Sequence, residues 1–62
     1  MAWFAVDLDG SEVAFQNKPI RDKKEKYWYV EDEHYVELPS GTIEKIIGKK
    51  ITWRHDSVEV KQ

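Results

Sequence analysis

Residues 38–53 read LPSGTIEKIIGKKITW and contain the one segment of the chain with a clear helical pattern. Ile43, Ile46 and Ile47 recur at spacings of three and four residues, so a helix would place them on one face. The pattern therefore predicts a short helix over residues 40–48 with its isoleucine face buried.

The predicted ends of this helix rest on two capping residues. Ser40 is a favourable N-cap, because its hydroxyl can accept a hydrogen bond from a free backbone N–H group of the first turn. Gly48 readily adopts the left-handed conformation that closes a helix. A helix of about two turns does not persist alone in water, so we expect its apolar face to pack on a β-sheet.

The composition indicates one small domain, residues 1–62. The chain has no cysteine, which leaves no disulfide or thiolate metal site, and a domain of this size has a stability on the order of 3–5 kcal/mol. Twelve acidic and ten basic residues give a net charge of −2, which argues against a dedicated nucleic-acid binder. The sequence has no signal-peptide pattern and no membrane-spanning run, so the expected location is the cytoplasm.

Residues 2–16 are predicted to form a β-hairpin, because Asp9-Gly10 between two apolar segments is a strong turn signal. A two-residue turn would pair Phe4 with Phe15, but it would set two acidic side chains opposite each other. The alternative is a type I turn closed by a glycine bulge, which pairs Trp3 with Phe15 and separates the acids. We favour the second register, and the choice decides whether Trp3 or Phe4 is buried.

Residues 17–25 are predicted to be a loop, because Pro19 and a high density of charge disfavour a regular element. Ile20 is expected to anchor this loop in the core. Residues 26–38 then read as a second hairpin with an acidic tip at 31–33. One face of that hairpin would be core, and it carries Trp28, Val30, Val36 and Leu38. The other would be a strip of Tyr27, Tyr29 and Tyr35 with Glu37.

Residues 51–60 are predicted to form a terminal hairpin at a sheet edge, with a turn at His55-Asp56. Val58 would face Trp53 in this arrangement. The expected fold class is therefore α+β but mainly β, with about six short strands in the order β-β-β-β-α-β-β. We expect a strongly bent antiparallel sheet or a small, partly open barrel of the SH3-like kind, with the helix at about 40–48.

The segment Val6-Asp7-Leu8-Asp9-Gly10-Ser11 resembles the first motif of haloacid-dehalogenase-type phosphatases. The resemblance implies a nucleophile at Asp7 and an acid/base at Asp9, but that family also requires a doubly wound parallel sheet for which this chain is too short. An acidic hairpin turn explains the same residues. Asp7, Asp9 and Glu12 supply too few oxygen atoms for a calcium loop. No metal, cofactor or small-molecule substrate is therefore expected.

His34 and His55 each lie beside an acidic residue, an arrangement that can form a metal or acid/base pair. Exposed histidines in turns are much more common. No serine or threonine has both a base and an orienting partner nearby in the sequence, and the sequence therefore predicts a protein that is not an enzyme.

A broader similarity concerns residues 37–43, ELPSGTI, together with Trp3, Asp7-Leu8-Asp9-Gly10, Glu12, Phe15, Pro19, Ile47-Gly48 and Thr52-Trp53. With these residues the chain is similar to small uncharacterised proteins of bacteriophages and of prophage or mobile-element regions in bacteria. The resemblance implies a phage or host setting and no particular activity.

The aromatic residues support the main functional hypothesis, a module that binds another protein or a second copy of itself. Tyrosine and tryptophan are typical contact residues, and the predicted surface contains Tyr27, Tyr29 and Tyr35, together with Trp3 if its ring faces outward. The alternative is single-stranded nucleic-acid binding, with phosphates on basic side chains and bases on an aromatic ring. Its candidate residues are Lys18, Arg21, Lys23, Lys24, Lys26 and Tyr27.

Overall fold

The computed structural model describes residues 2–60, which form six strands and one short helix. The elements in chain order are β1 (Ala2–Val6), β2 (Glu12–Phe15), β3 (Ile20–Asp22), β4 (Tyr27–Tyr29), β5 (Tyr35–Leu38), α1 (Thr42–Ile47) and β6 (Val58–Val60). The predicted class, mainly β with one short helix, is confirmed. Five strands precede the helix and one follows it, whereas the sequence suggested four and two.

All strand pairs are antiparallel and form two separate sheets. The larger sheet has the order β5-β2-β1-β6, and the smaller consists of β3 and β4. The two sheets do not close into a barrel within residues 2–60. Strands β5 and β6 are consequently the edges of the larger sheet.

The first hairpin adopts the bulged register that the sequence favoured. Trp3 pairs with Phe15, and the backbone N–H of Gly10 donates to the carbonyl of Asp7 at 2.9 Å. Gly10 has a φ of 92°, a left-handed value that glycine adopts without a steric penalty. The Asp9 carboxylate accepts a hydrogen bond from the Ser11 N–H at 2.9 Å, so local turn chemistry alone accounts for this register.

Both faces of the larger sheet are covered, so Trp3 and Phe4 are not alternatives for burial as the sequence suggested. Phe4 is buried on the helix side, in a cluster with Val6, Ile43 and Ile51. Trp3 is half-buried and packs on the opposite cluster, whose buried members are Ala5, Val13, Phe15, Trp28 and Val30. A β-strand directs alternate side chains to opposite faces, so one register buries both aromatic rings in different layers.

The predicted loop over residues 17–25 is wrong in part, because Ile20–Asp22 forms strand β3. The Asp22 carboxylate accepts hydrogen bonds from the backbone N–H groups of Lys24 and Glu25, which turns the chain tightly into β4. Ile20 is 44% exposed and does not anchor the segment. Pro19 is buried in its place.

The predicted hairpin over residues 26–38 is also wrong, because β4 pairs with β3 and β5 pairs with β2. The Asp22 turn brings β4 to the strand immediately before it, and β2 takes β5 as its second neighbour. Of the four residues expected in that core, Trp28 and Val30 are buried and Leu38 is half-buried, but Val36 is 63% exposed.

The terminal hairpin over residues 51–60 does not form either. Residues 52–55 make a turn, in which the His55 N–H donates to the Thr52 carbonyl, and Val58 pairs with Phe4 of β1 instead of facing Trp53. The expectation of an edge strand at this end of the chain is confirmed by β6.

The helix lies within its predicted range, but a different residue caps it. The residue before the helix is Gly41, not Ser40, and the cap is the carboxylate of Glu12 on β2. Its two oxygens accept hydrogen bonds from the backbone N–H groups of Gly41 at 2.6 Å and Ile43 at 2.8 Å. Gly48 ends the helix in the left-handed conformation as predicted, with a φ of 81°.

The isoleucine face of the helix is only partly buried. Ile43 is 2% exposed and fills the helix-side core, Ile47 is half-buried against it, and Ile46 is 54% exposed. A helix of six residues resting on a twisted sheet presents only one of its turns squarely to the core. Ile46 therefore adds to the apolar surface on the helix side of the larger sheet.

Candidate functional site

The aromatic residues predicted as a contact strip are divided between the two sheets. Tyr27 and Tyr29 are neighbours on β4, with ring centroids 6.0 Å apart. Tyr35 lies on β5 beside Phe15, at a centroid distance of 6.1 Å. The strip does not form as one surface, because the hairpin that would have aligned β4 with β5 is absent. Trp3 is half-buried, and the Lys18 ammonium lies 5.6 Å from the centroid of its ring.

Three of the basic candidates, Lys18, Arg21 and Lys23, line a shallow cleft together with Trp3 and Trp28. The others, Lys24 and Lys26, belong to the turn over residues 23–26, and Tyr27 begins the strand after it. The structure thus brings three of the five predicted basic residues to one cleft.

Arg21 is held by the protein itself. Its guanidinium packs against the rings of both Trp28 and Trp53, at 4.8 and 5.1 Å from their centroids, and the two rings contact each other edge to face at a centroid distance of 6.0 Å. It also donates to the backbone carbonyls of Trp53 and His55, at 3.0 and 2.7 Å. These contacts fasten the segment after the helix to the small sheet. Both hydrogen bonds come from Nη2 of Arg21, and its buried Nε has no hydrogen-bond partner within residues 2–60.

The acidic turn residues that resemble a phosphatase motif also make structural contacts. An Asp7 carboxylate oxygen accepts a hydrogen bond from the Trp28 backbone N–H at 2.9 Å. The Trp28 indole N–H in return donates to the Val6 carbonyl at 3.1 Å. The two bonds dock the small sheet on the first hairpin. Asp7, Asp9 and Glu12 line an open cleft of about 790 Å³ that also reaches Arg54.

The electrostatics of this turn separate its two aspartates. Burial raises the pKa of Asp7; the hydrogen bond from the Trp28 N–H opposes this shift, and the nearby charges of Asp9 and Glu37 add to it. Hydrogen bonds from Ser11 lower the pKa of Asp9. Asp9 is therefore an ordinary ionised turn residue, whereas ionisation of Asp7 has a cost in the folded protein.

Replacement of Asp7 by asparagine tests this assignment. A raised pKa means that the folded state binds the proton more tightly, so the contribution of Asp7 to stability is largest at low pH and falls as the pH rises through the raised pKa. Asp7→Asn keeps an acceptor for the Trp28 N–H and removes the charge. We expect its stability relative to wild type to increase between pH 3 and pH 7 in urea unfolding experiments.

Asp7→Ala is the matched control, because it removes the acceptor as well as the charge. It should cost about 1–2 kcal/mol at neutral pH, since it leaves the Trp28 N–H without its partner. A neutral-pH stability of Asp7→Asn as low as that of Asp7→Ala would contradict this account of the carboxylate.

The histidines and the possible metal ligands are dispersed. His55 Nδ1 accepts a hydrogen bond from the Thr52 N–H at 3.0 Å, and His34 lies 3.9 Å from the carboxylate of Asp32. Within residues 2–60, no group of three or more His, Cys, Asp or Glu side chains is placed to hold a metal ion. No helix in this part of the chain has the length and hydrophobicity to cross a bilayer.

Strand β5 is the more exposed of the two edge strands of the larger sheet, and it carries large apolar side chains. Tyr35, Val36 and Glu37 are all exposed, with Tyr35 at 54% and Val36 at 63%. Among the described residues only β2 pairs with this strand. Val36 projects on the helix side with Ala14 and Phe4, and Tyr35 projects on the opposite side with Phe15.

The hydrogen-bonding direction of each β5 residue follows from the register. In the β1–β2 pair the Asp7 N–H donates to the Ser11 carbonyl, which therefore points towards β1. Because the direction of the backbone N–H and C=O groups alternates along a strand, those of Val13 and Phe15 also point towards β1. Glu12 and Ala14 consequently point towards β5, as the bond from the Gln16 N–H to the His34 carbonyl also indicates.

Since Ala14 is opposite Val36 and Glu12 is opposite Leu38, the backbone groups of Val36 and Leu38 point inward to β2. Those of Tyr35 and Glu37 point outward. The open edge therefore offers two N–H and two C=O groups to another strand.

This edge was missed by the sequence analysis, which placed Val36 in the core of a local hairpin. Alternation of apolar and polar residues is the same in an edge strand and in a central one. The available signal was Pro39, which ends the strand and is typical of sheet edges. No protein-family model, curated protein or solved structure matches the chain.

Proposed function

We propose that this protein is a non-enzymatic interaction module that binds an extended polypeptide segment along the open edge of β5. The observation that carries the proposal is a strand whose Tyr35 and Glu37 backbone groups point away from the sheet and whose Val36 side chain is 63% exposed. Addition of a strand to such an edge uses the backbone hydrogen bonds for affinity and the alternating side chains for selectivity.

Exposed edges are normally protected in natural proteins by charge, proline or very short strands. Here Glu37 and Pro39 supply some protection at one end of β5, and Tyr35 and Val36 leave the other end apolar. The half-buried Leu38, which packs on the helix-side cluster, extends the apolar surface on that side. Tyrosine is a frequent contact residue in interfaces, which suits Tyr35 to the opposite face.

The proposal gives no catalytic role to the acidic turn. One oxygen of Asp7 and one of Asp9 accept backbone hydrogen bonds, and both oxygens of Glu12 cap the helix. These groups support a structural role. The cytoplasmic location and the phage or mobile-element origin stay predictions from the sequence.

Selection of peptides from a random display library tests the proposal. Bound peptides should be extended, with alternating apolar residues, and should shift the amide NMR signals of Tyr35 and Glu37 most strongly. Glu37→Pro should abolish binding, because it removes an outward N–H without removing a bond to β2.

Glu59→Pro is the matched control at the other edge of the sheet and should bind the same peptides. The proposal is overturned if no peptide is enriched, or if the enriched peptides bind Glu37→Pro as tightly as wild type. Circular dichroism of both variants establishes that they are folded.

Single-stranded nucleic-acid binding is a second candidate, favoured by the cleft that brings Lys18 and Lys23 together with Trp3. A base stacked on Trp3 with phosphates on the two lysines would fit this chemistry. The engagement of Arg21 by protein carbonyls and the exposed carboxylate of Asp56 in the same cleft weaken it. Retention of an oligonucleotide on a filter at low salt is the measurement that decides it.

A further inference from the structure

The open edge of β5 is complementary to itself, and we infer that it pairs with β5 of a second copy of this chain in an antiparallel register centred on Val36. The inference rests on the proposed function, since it names the partner of the same edge. It follows from the direction of the backbone groups, the chemistry of four side chains and the length of the two free edges.

A symmetric register can be centred on Tyr35, Val36 or Glu37, the three exposed residues of this edge. Centring on Tyr35 would set Glu37 opposite the partner's Glu33, a second acid that lies outside β5 with a φ of 58°. Residues opposite each other across an antiparallel pair must project to the same face, so a symmetric pairing is centred on a residue and not between two. Centring on Val36 sets Tyr35 opposite the partner's Glu37, and both residues point their backbone groups outward. Four hydrogen bonds would join the two strands, two from each copy.

Centring on Glu37 is disfavoured for two reasons. It would set Glu37 directly opposite the partner's Glu37, and like charges in that position are destabilising. It would also set Tyr35 opposite the partner's Pro39, which has no N–H group to donate. The Val36 register avoids both, and it places Val36 opposite the partner's Val36 in the close, non-hydrogen-bonded kind of pair.

The opposite edge of the sheet is a weaker candidate. Ala2 is opposite Val60 and Phe4 is opposite Val58, so the backbone groups of these two β6 residues point inward to β1. Within β6 only Glu59 points outward. Strand β5 therefore offers twice as many free backbone groups as β6, and its self-pairing gives a closed two-fold dimer, whereas pairing β5 with β6 would extend without limit.

Single cysteines report this register directly, because the natural chain contains none. Opposed residues in a non-hydrogen-bonded pair have Cα atoms about 4.5 Å apart, within the range that a disulfide spans. Under mild oxidation, Val36→Cys should form a covalent dimer roughly ten times faster than Glu37→Cys or Glu59→Cys, whose thiols would be separated from their own copies.

Sedimentation of the cysteine-free protein gives an independent measurement. Between about 10 μM and about 1 mM, the mean mass should rise towards that of two chains. Val36→Lys should stay monomeric, because it brings two charges together in the close pair. Leu8→Lys, at an exposed residue of the β1–β2 turn, should dimerise as wild type does.

Each alternative result identifies what is wrong. Fastest cross-linking by Glu37→Cys overturns the register, and fastest cross-linking by Glu59→Cys overturns the choice of edge. A wild-type chain that stays monomeric at about 1 mM overturns self-pairing. If that monomer still binds peptides in a manner abolished by Glu37→Pro, the proposed function stands without this partner; if it does not, both are overturned.

Discussion

Replacement of Ile43 by alanine is expected to leave a large fraction of the protein unfolded at room temperature. Ile43 is 2% exposed and lies in the helix-side core with Phe4, Val6 and Ile51. Truncation of a buried isoleucine to alanine costs about 2–5 kcal/mol, from lost transfer free energy and from the cavity that remains. A domain of this size has a total stability on the order of 3–5 kcal/mol, so the two quantities are comparable.

The matched control is Ile46→Ala, three residues along the same helix. Ile46 is 54% exposed, and its truncation should change the free energy of unfolding by no more than about 0.5 kcal/mol. Urea unfolding followed by tryptophan fluorescence measures both variants. Equal losses at the two positions would mean that the helix packs on the sheet through a different face.

Glu12→Ala is expected to have the second largest effect, a loss of about 2–4 kcal/mol. The substitution removes the acceptor of two charge-assisted hydrogen bonds, to the N–H groups of Gly41 and Ile43. A hydrogen bond to a charged group contributes roughly 1.5–3 kcal/mol, and a carboxylate at a helix N-terminus also interacts favourably with the helix dipole. The protein should lose helical ellipticity and unfold at lower urea concentration.

Two further variants separate the capping interaction from general loss of charge. Glu12→Gln keeps one acceptor oxygen, so its stability should lie between those of wild type and Glu12→Ala. Glu44→Ala removes an exposed acid of the first helical turn that accepts no such pair of bonds, and it should cost about 0.5 kcal/mol. If Glu12→Gln were as stable as wild type, the charge and second oxygen of Glu12 would contribute nothing.

The parts of the fold that could be predicted from the sequence are those fixed by neighbouring residues. Asp9-Gly10 determines the first turn and, through its bulge, the pairing of Trp3 with Phe15. Gly48 ends the helix by its own conformational freedom. In both cases the decisive interactions join residues at most a few positions apart, so the local sequence contains the information.

The errors concern choices between distant partners. Residues 26–38 have the alternation expected of a hairpin, and this pattern does not reveal that β5 pairs with β2, about twenty residues earlier in the chain. The Asp22 carboxylate closes a turn between β3 and β4, and this turn favours the pairing of β4 with β3 over its pairing with β5. The exposure of the candidate binding edge is a consequence of that pairing, which is why Val36 was assigned to the core.

The cap supplied by Glu12 also has a consequence for the order of folding. Glu12 precedes the two residues whose N–H groups donate to it, Gly41 and Ile43, by 29 and 31 positions. The helix therefore cannot gain this stabilisation until β2 is in place. An isolated segment of six residues has a costly nucleus. The rate-limiting barrier should accordingly be crossed with the first hairpin formed and the helix still unformed, so that Glu12→Ala accelerates unfolding and leaves the refolding rate almost unchanged.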